Sequence, residues 1–347
     1  MKKIKWKKIF NLLFLIIVFS ITLWSVFRGK DFHQVINYLT TANPMYIIPS
    51  VLCVILFILG ESVIIHYLMG TLGTKVKPTH CCLYSFIGFF YSCITPSASG
   101  GQPMQIIAMR KDKIPVAVST VVLAIITIAY KVVLVLIGAA VMILRPARLM
   151  VYIEPVETMI YLGIALNVVC VAGLLLLVFQ PNLVRVLARK VLAIWNWIRP
   201  FRNPQKQSDR LENVLNQYKG TSEFYRSHKR VIFNVLVITF VQRVILFLIT
   251  WFTYKAFSLS GHSIVLIISL QAMISVAADM LPLPGGMGVS ENMFLLIFPT
   301  IFGAELVLPG MMISRGISFY TQLILCGFMT IVASFIIREK REKGRNK

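Results

Sequence analysis

Six apolar runs, near residues 9–27, 45–68, 114–143, 158–179, 231–257 and 307–336, decide most of what this chain can become. Each is long enough to cross a hydrocarbon core of ~30 Å, which takes about 20 helical residues. Lipid offers no hydrogen bonds to exposed backbone, so only helices or closed barrels can span it, and barrel strands would be about half as long. Composition agrees: 57% of the 347 residues are hydrophobic, 14% are charged and the mean hydropathy is +0.79, whereas soluble domains carry about 25% charged residues. The fold class expected is all-α: a polytopic integral membrane protein of about six full spans, with residues 1–347 forming a single transmembrane domain. The N-terminal run follows Lys2, Lys3, Lys5, Lys7 and Lys8. Its length and the lack of a small-x-small cleavage site favour an uncleaved first span over a signal peptide.

Two motifs interrupt the apolar pattern, Pro96-Ser97-Ala98-Ser99-Gly100-Gly101-Gln102-Pro103 and Leu281-Pro282-Leu283-Pro284-Gly285-Gly286-Met287-Gly288. A helix broken at membrane depth leaves backbone groups unpaired, so the break is expected to line a polar cavity. Short apolar segments flank both motifs, about 81–94 with 104–109 and about 263–281 with 289–303; re-entrant helical hairpins are the expected reading, the alternative for the second pair being two full crossings, which leave the charge placement unchanged. Span 45–68, hairpin and span 114–143 would make a first repeat half over 45–143. Span 231–257, hairpin and span 307–336 would make a second over 231–336, inverted so that the two hairpins enter from opposite sides.

Charge orients this arrangement. The chain has 35 Lys+Arg against 13 Asp+Glu, a formal +22, and the basic residues gather in loops and tails, the signature of cytoplasmic segments. The 181–230 linker carries eleven basic residues against three acids, and the tail within 337–347 carries six against two. A multi-pass protein of the plasma membrane with both termini cytoplasmic satisfies all of these placements. Within the linker, Leu183, Leu187, Val191, Ile194, Trp195 and Ile198 recur at helical spacing among Arg185, Arg189, Lys190 and Arg199, as amphipathic helices on an anionic leaflet do. Anionic lipid is therefore the expected partner, and no specific nucleic acid is.

The ionisable residues at membrane depth are Glu61, Lys131, Arg243, Asp279, Glu291 and Arg315. A charge at the bilayer centre costs roughly 2.5–3.5 kcal/mol, so such residues face a cavity or a partner. Lys131 and Arg315 each follow a glycine motif by thirty residues, counted from Gly101 and Gly285. The expected site binds a phosphate through Lys131 and Arg315, helped by Arg243. Gly100, Gly101, Gly285 and Gly286 would supply backbone N–H groups, and Ser97 and Ser290 hydroxyls. Glu61, Asp279 and Glu291 would balance charge or meet a cationic head group, with Glu61 a counter-ion to Lys131 or a gate, and Arg243 either touching substrate or pairing with an acid such as Asp279 or Glu291. No cofactor, metal ligand set or catalytic motif is read: the five histidines lack ligand spacing and no nucleophile elbow or phosphate-loop lysine occurs.

The two glycine motifs, Ser290-Glu291 after the second of them, and the intramembrane Arg315 resemble the transmembrane region of the lysyl-phosphatidylglycerol synthase and flippase family, over nearly the whole chain. The resemblance implies translocation of an anionic or aminoacylated phospholipid such as lysyl-phosphatidylglycerol, with effects on membrane surface charge and resistance to cationic peptides. In bifunctional members a cytosolic domain transfers lysine from tRNA to the lipid. That domain is expected to be absent here, where the chain runs only about ten residues beyond its last apolar run. Phosphatidylglycerol lysyltransferase activity, the alternative, would then require a separate cytosolic aminoacyltransferase as partner; a non-catalytic envelope-assembly scaffold is the third reading. Where the family more often has arginine this chain has Lys131, a point charge without a bidentate fork.

Overall fold

In a computed structural model of the protein, residues 37, 40–95, 98–198, 204–281, 284–286 and 288–337 are described. The expected first span at 9–27, the basic tail from 338 onward, Ser97, and Pro282 and Leu283 of the second motif lie outside the described residues. No strand occurs among the described residues. The protein is an all-α polytopic membrane protein.

Among the described residues, five helical stretches are long and apolar enough to cross a bilayer: Pro44–Thr71, Val116–Leu144, Leu149–Phe179, Lys229–Ala256 and Val307–Ile336. In chain order the helices are α1 (Pro44–Thr71), α2 (Pro78–Ile94), α3 (Gly101–Lys111), α4 (Val116–Leu144), α5 (Ala147–Ile153), α6 (Glu157–Phe179), α7 (Pro181–Ile198), α8 (Pro204–Ser227), α9 (Lys229–Ala256), α10 (Ile264–Ala278), α11 (Val289–Ile297), α12 (Pro299–Phe302), α13 (Val307–Arg315) and α14 (Gln322–Ile336). A π-helical segment, Gly316–Thr321, joins α13 to α14 without a break. Proline sets several starts, its missing N–H falling where a helix has no partner to offer. At α1 Pro44 follows Asn43, whose side chain accepts the Met45 N–H at 3.0 Å.

Both glycine motifs break helices. At 1.5 Å per residue α2 and α3 rise about 26 and 17 Å, and α10 and α11 about 22 and 14 Å, all short of a ~30 Å core. The members of each pair pack against one another as a hairpin. Around them, α1 and α9 share the most extensive helix–helix interface in the described structure, α14 lies against α2, and α4 and α10 both lie against α6. The interior divides into three apolar clusters. One gathers Ile65, Leu68, Tyr84, Val121 and Tyr225 near the basic linker. A second gathers Leu134, Phe247, Met273, Phe294 and Phe298 around the second hairpin, and a third joins Phe57, Phe90 and Ile94 to Phe319 and Leu323.

The linker forms two helices with different roles. α8 is docked on the bundle, where its hydroxyls satisfy carbonyls in the last turns of two spans, groups that have no intrahelical donor. Tyr218 donates to Leu177 O at 2.9 Å, Ser222 to Val178 O, and Tyr225 to Leu68 O at 2.8 Å. α7 turns its charged side toward α8, with Arg189 Nη2 2.7 Å and Arg185 Nε 3.4 Å from the Glu212 carboxylate. Its apolar side, Leu183, Val186, Val191 and Ile194, is left exposed.

Close contact fixes the second hairpin on α6. Asn167, fully buried, donates from Nδ2 to Gly163 O at 2.9 Å and across to Val276 O at 3.3 Å. A Cβ on Gly163 would fall 2.6 Å from Ala277 Cα and closer still to the Val276 carbonyl. Backbone cannot yield as a flexible side chain does, so Gly163→Val should force α10 away from α6. Overpacking of this kind costs typically 1–3 kcal/mol. A lowered melting temperature in detergent is the expected outcome, whereas Gly173→Val, at an open position on the same helix, should leave it unchanged.

Candidate functional site

Polar side chains meet where the two hairpins and the central helices converge. Lys131, in the middle of α4, forms an ion pair and hydrogen bond through Nζ to Asp279 Oδ2. Tyr130 donates its hydroxyl to the other oxygen, Asp279 Oδ1, and Lys131 Nζ also lies 3.0 Å from Met280 Sδ. Asp279 is the residue that ends α10, so the lysine ammonium additionally faces the negative end of a helix. Both side chains are about nine-tenths buried, at 10% and 11% exposure.

A second pair closes the turn of the second hairpin. Arg315 Nε lies 3.0 Å from Glu291 Oε1, and Arg315 Nη2 donates to Gly285 O at 2.9 Å. The other Glu291 oxygen accepts the Gly288 N–H at 2.6 Å, capping α11. Gly285, Gly286 and Gly288 have φ of 58°, 66° and 82°, the left-handed region that favours glycine. Gly285 is doubly constrained, because a Cβ there would lie 2.7 Å from Phe319 Cζ, with the ring's Cε2 nearer still. Phe319 belongs to the π segment directly after Arg315, whose wide turn aims the ring at the motif. Ser290 is buried in the first turn of α11.

The first glycine pair works differently. Gly100 has helical φ and ψ and gives its N–H to Thr95 Oγ1 at 2.9 Å. Gly101 starts α3 against α2, where a Cβ would sit 2.6 Å from the Gly88 carbonyl and collide with Ser92 Oγ. On this hairpin the polar reach comes from Gln105, whose Nε2 donates to Glu61 Oε1 at 2.6 Å. Glu61 on α1 is thereby tied to α3 and not to Lys131. The turn at Pro284–Gly286 packs against α2, and Arg315, which binds that turn, is within electrostatic reach of Cys93 in the last turn of α2, so the second motif lies beside the end of α2.

Arg243 occupies the space between these groups. Its guanidinium carbon lies 3.5 Å from the centroid of the Tyr130 ring and 4.8 Å from that of Phe57. Asp279 and Glu61 are both within electrostatic reach, yet Arg243 forms no ion pair with either, or with Glu291. Its Nε is buried with no hydrogen-bond acceptor among the described residues. The neighbouring Gln242 donates to Phe57 O at 2.7 Å, locking α9 to α1.

The structure thus joins Lys131 to Asp279, Arg315 to Glu291 and Gly285, and Glu61 to Gln105, sets Arg243 within electrostatic reach of Glu61 and Asp279 without a bond to either, and leaves Gly100 and Gly101 in a packing role. Sequence reasoning missed Tyr130, Phe57 and Gln105. Gln105 carried a signal, being an amide within a short apolar segment, while the two aromatic residues look like ordinary lipid-facing or core positions.

The Lys131–Asp279 pair has a measurable consequence. Breaking a buried pair by removing one partner typically costs about 3–5 kcal/mol, while replacing both with apolar groups can be neutral. Asp279→Leu should therefore lower thermal stability in detergent substantially, and the double variant Lys131→Met/Asp279→Leu should recover most of the loss. A double variant no more stable than the single one would mean that the pair is not a closed unit.

No curated protein matches the chain. A family model described as the lysylphosphatidylglycerol synthase TM region matches residues 11–326, which takes in α1 to α13, both hairpins and every polar group described above. The chain belongs to the family of that transmembrane region.

Proposed function

We propose that the protein is a lipid translocase that carries an anionic or aminoacylated phospholipid, such as lysyl-phosphatidylglycerol, between leaflets of the plasma membrane. The observation that carries this reading is Arg243: a cation in the middle of a membrane bundle, held by aromatic faces, with a buried donor that no group among the described residues accepts. Membrane-buried cations ordinarily meet a carboxylate. Lys131 and Arg315 do so, which leaves Arg243 to receive a phosphate.

In this mechanism the phosphodiester meets the Arg243 guanidinium while Lys131–Asp279 and Arg315–Glu291 hold the hairpins in place. Glu61, oriented by Gln105 and near Arg243 without touching it, would take a lysyl ammonium, so that one head group bridges two protein charges. An inverted-repeat arrangement, with α1, α2–α3 and α4 mirrored by α9, α10–α11 and α13–α14, would let the hairpins open alternately to the two sides. The α1–α9 interface is where such a repeat axis would pass. The cations are not equivalent under it, because Lys131 bonds to the opposite hairpin and Arg315 to its own. Both termini and the basic linker are assigned to the cytoplasm.

The test uses purified protein in vesicles containing labelled lysyl-phosphatidylglycerol or phosphatidylglycerol. Arg243→Met should preserve insertion and slow both lipids by at least about tenfold, equivalent to about 1.4 kcal/mol in the barrier. Glu61→Gln should slow the lysyl lipid alone. Unchanged translocation in Arg243→Met would remove Arg243 from the path and the proposed mechanism with it.

A further inference from the structure

We infer that a second, peripheral lipid site lies at the cytoplasmic membrane boundary, a cleft of about 490 Å³ lined by Phe179, Tyr225, Ile232, Phe233 and Leu236 together with Arg226 and Lys229. Its occupant is an anionic phospholipid of the inner leaflet. The site rests on the membrane placement of the helices and on the proposed cytoplasmic side of the basic linker, and is independent of translocation.

The cleft sits where the chain leaves one apolar span at Phe179 and enters the next at Lys229. Between those points runs the basic linker, with α8 anchored by Tyr225 to the end of α1. One wall continues along the first turns of α9, where Phe233 is 64% exposed, as a surface facing acyl chains would be. α7, which starts directly beyond Gln180, presents its own exposed apolar side, placing the bilayer surface at the level of the cleft.

Charge selects the occupant. Arg226 and Lys229 form no ion pair or hydrogen bond with the described residues, whereas Lys219, two turns earlier on α8, is 3.7 Å from Glu223. Lys229 and Arg230 stand in the first turn of α9, the positive end of the helix dipole, and His228 provides no side-chain cap. Cations there are unfavourable unless an anion joins them. A phosphate between Arg226 and Lys229 would relieve that repulsion while its acyl chain covers Phe233 and Leu236. A pocket of this volume accepts a head group and the upper part of one chain, and basic residues beside an anionic leaflet draw its lipids toward them.

A photoreactive benzoylphenylalanine at position 233, in protein reconstituted into vesicles of phosphatidylglycerol with phosphatidylcholine, should form a phosphatidylglycerol adduct detectable by mass spectrometry. Arg226→Gln/Lys229→Gln should reduce its yield at least tenfold, and Lys219→Gln should not. Leu236→Trp, which fills the apolar wall with both cations intact, should reduce it as well. Adducts to the two lipids in proportion to their abundance, an unchanged yield in the double variant, or displacement of the lipid by water-soluble glycerophosphoglycerol at equal concentration would each overturn the assignment. Translocation does not enter this readout, so a failure here leaves the translocase reading standing, and the reverse holds.

Discussion

A lysine from the middle of α4 and an aspartate from the end of α10 meet where little water reaches either charge, and the seating of the second hairpin depends on that meeting. α10 stops at Asp279 in apolar surroundings, leaving the carbonyls of its last turn without intrahelical donors. A lone carboxylate there would worsen the problem, and a lone ammonium on α4 would be costly by itself. Together they neutralise each other, and the ammonium also faces the helix end, so that two unfavourable burials become one cross-link between elements about 148 residues apart in sequence. Tyr130 completes it by filling the second carboxylate oxygen.

The same constraint explains why the two glycine motifs are chemically unlike. In the second, three left-handed glycines reverse the chain, and the exposed polar backbone is handed to Arg315 and Glu291. In the first, the break is absorbed locally by Thr95, and the glycines let α3 lie on α2 almost backbone to backbone. Similar letters and equal spacing to a following cation thus produce two different solutions to one requirement, that no backbone group be left unpaired within lipid. The π segment after Arg315 belongs to this solution, since its wider turn carries Phe319 over Gly285.

The helices and their breaks were legible because hydrophobic length and proline–glycine punctuation report directly on spanning and on interruption. The run read as 45–68 is α1 at Pro44–Thr71, its start set by Asn43 and Pro44. Partner choice was not legible. Glu61, read as a counter-ion to Lys131 or a gate, accepts from Gln105, and of the two readings of Arg243, an acid partner or a substrate contact, the ion pair with Asp279 or Glu291 does not form. A helix that is apolar all round carries no periodic signal for which face points inward, so rotation and depth, which decide pairing, are set by packing between helices distant in sequence. The close approach of α1 and α9 at Gly60, where a Cβ would press on the Gln242 side chain, is one such determinant.

Arg243 follows from that packing. A carboxylate partner would have satisfied its charge and consumed its donors together. An aromatic face stabilises the charge by a contribution of roughly 0.5–2 kcal/mol and leaves the in-plane N–H groups unspent, because the ring meets the flat side of the guanidinium while acceptors approach its edge. Tyr130 can hold Arg243 in this way only because its own hydroxyl is committed to Asp279, and that bond in turn orients the ring. The Lys131–Asp279 cross-link therefore does two things at once: it closes the second hairpin against α4, and it presents an aromatic platform on which a cation can wait in a membrane bundle without a counter-charge in contact.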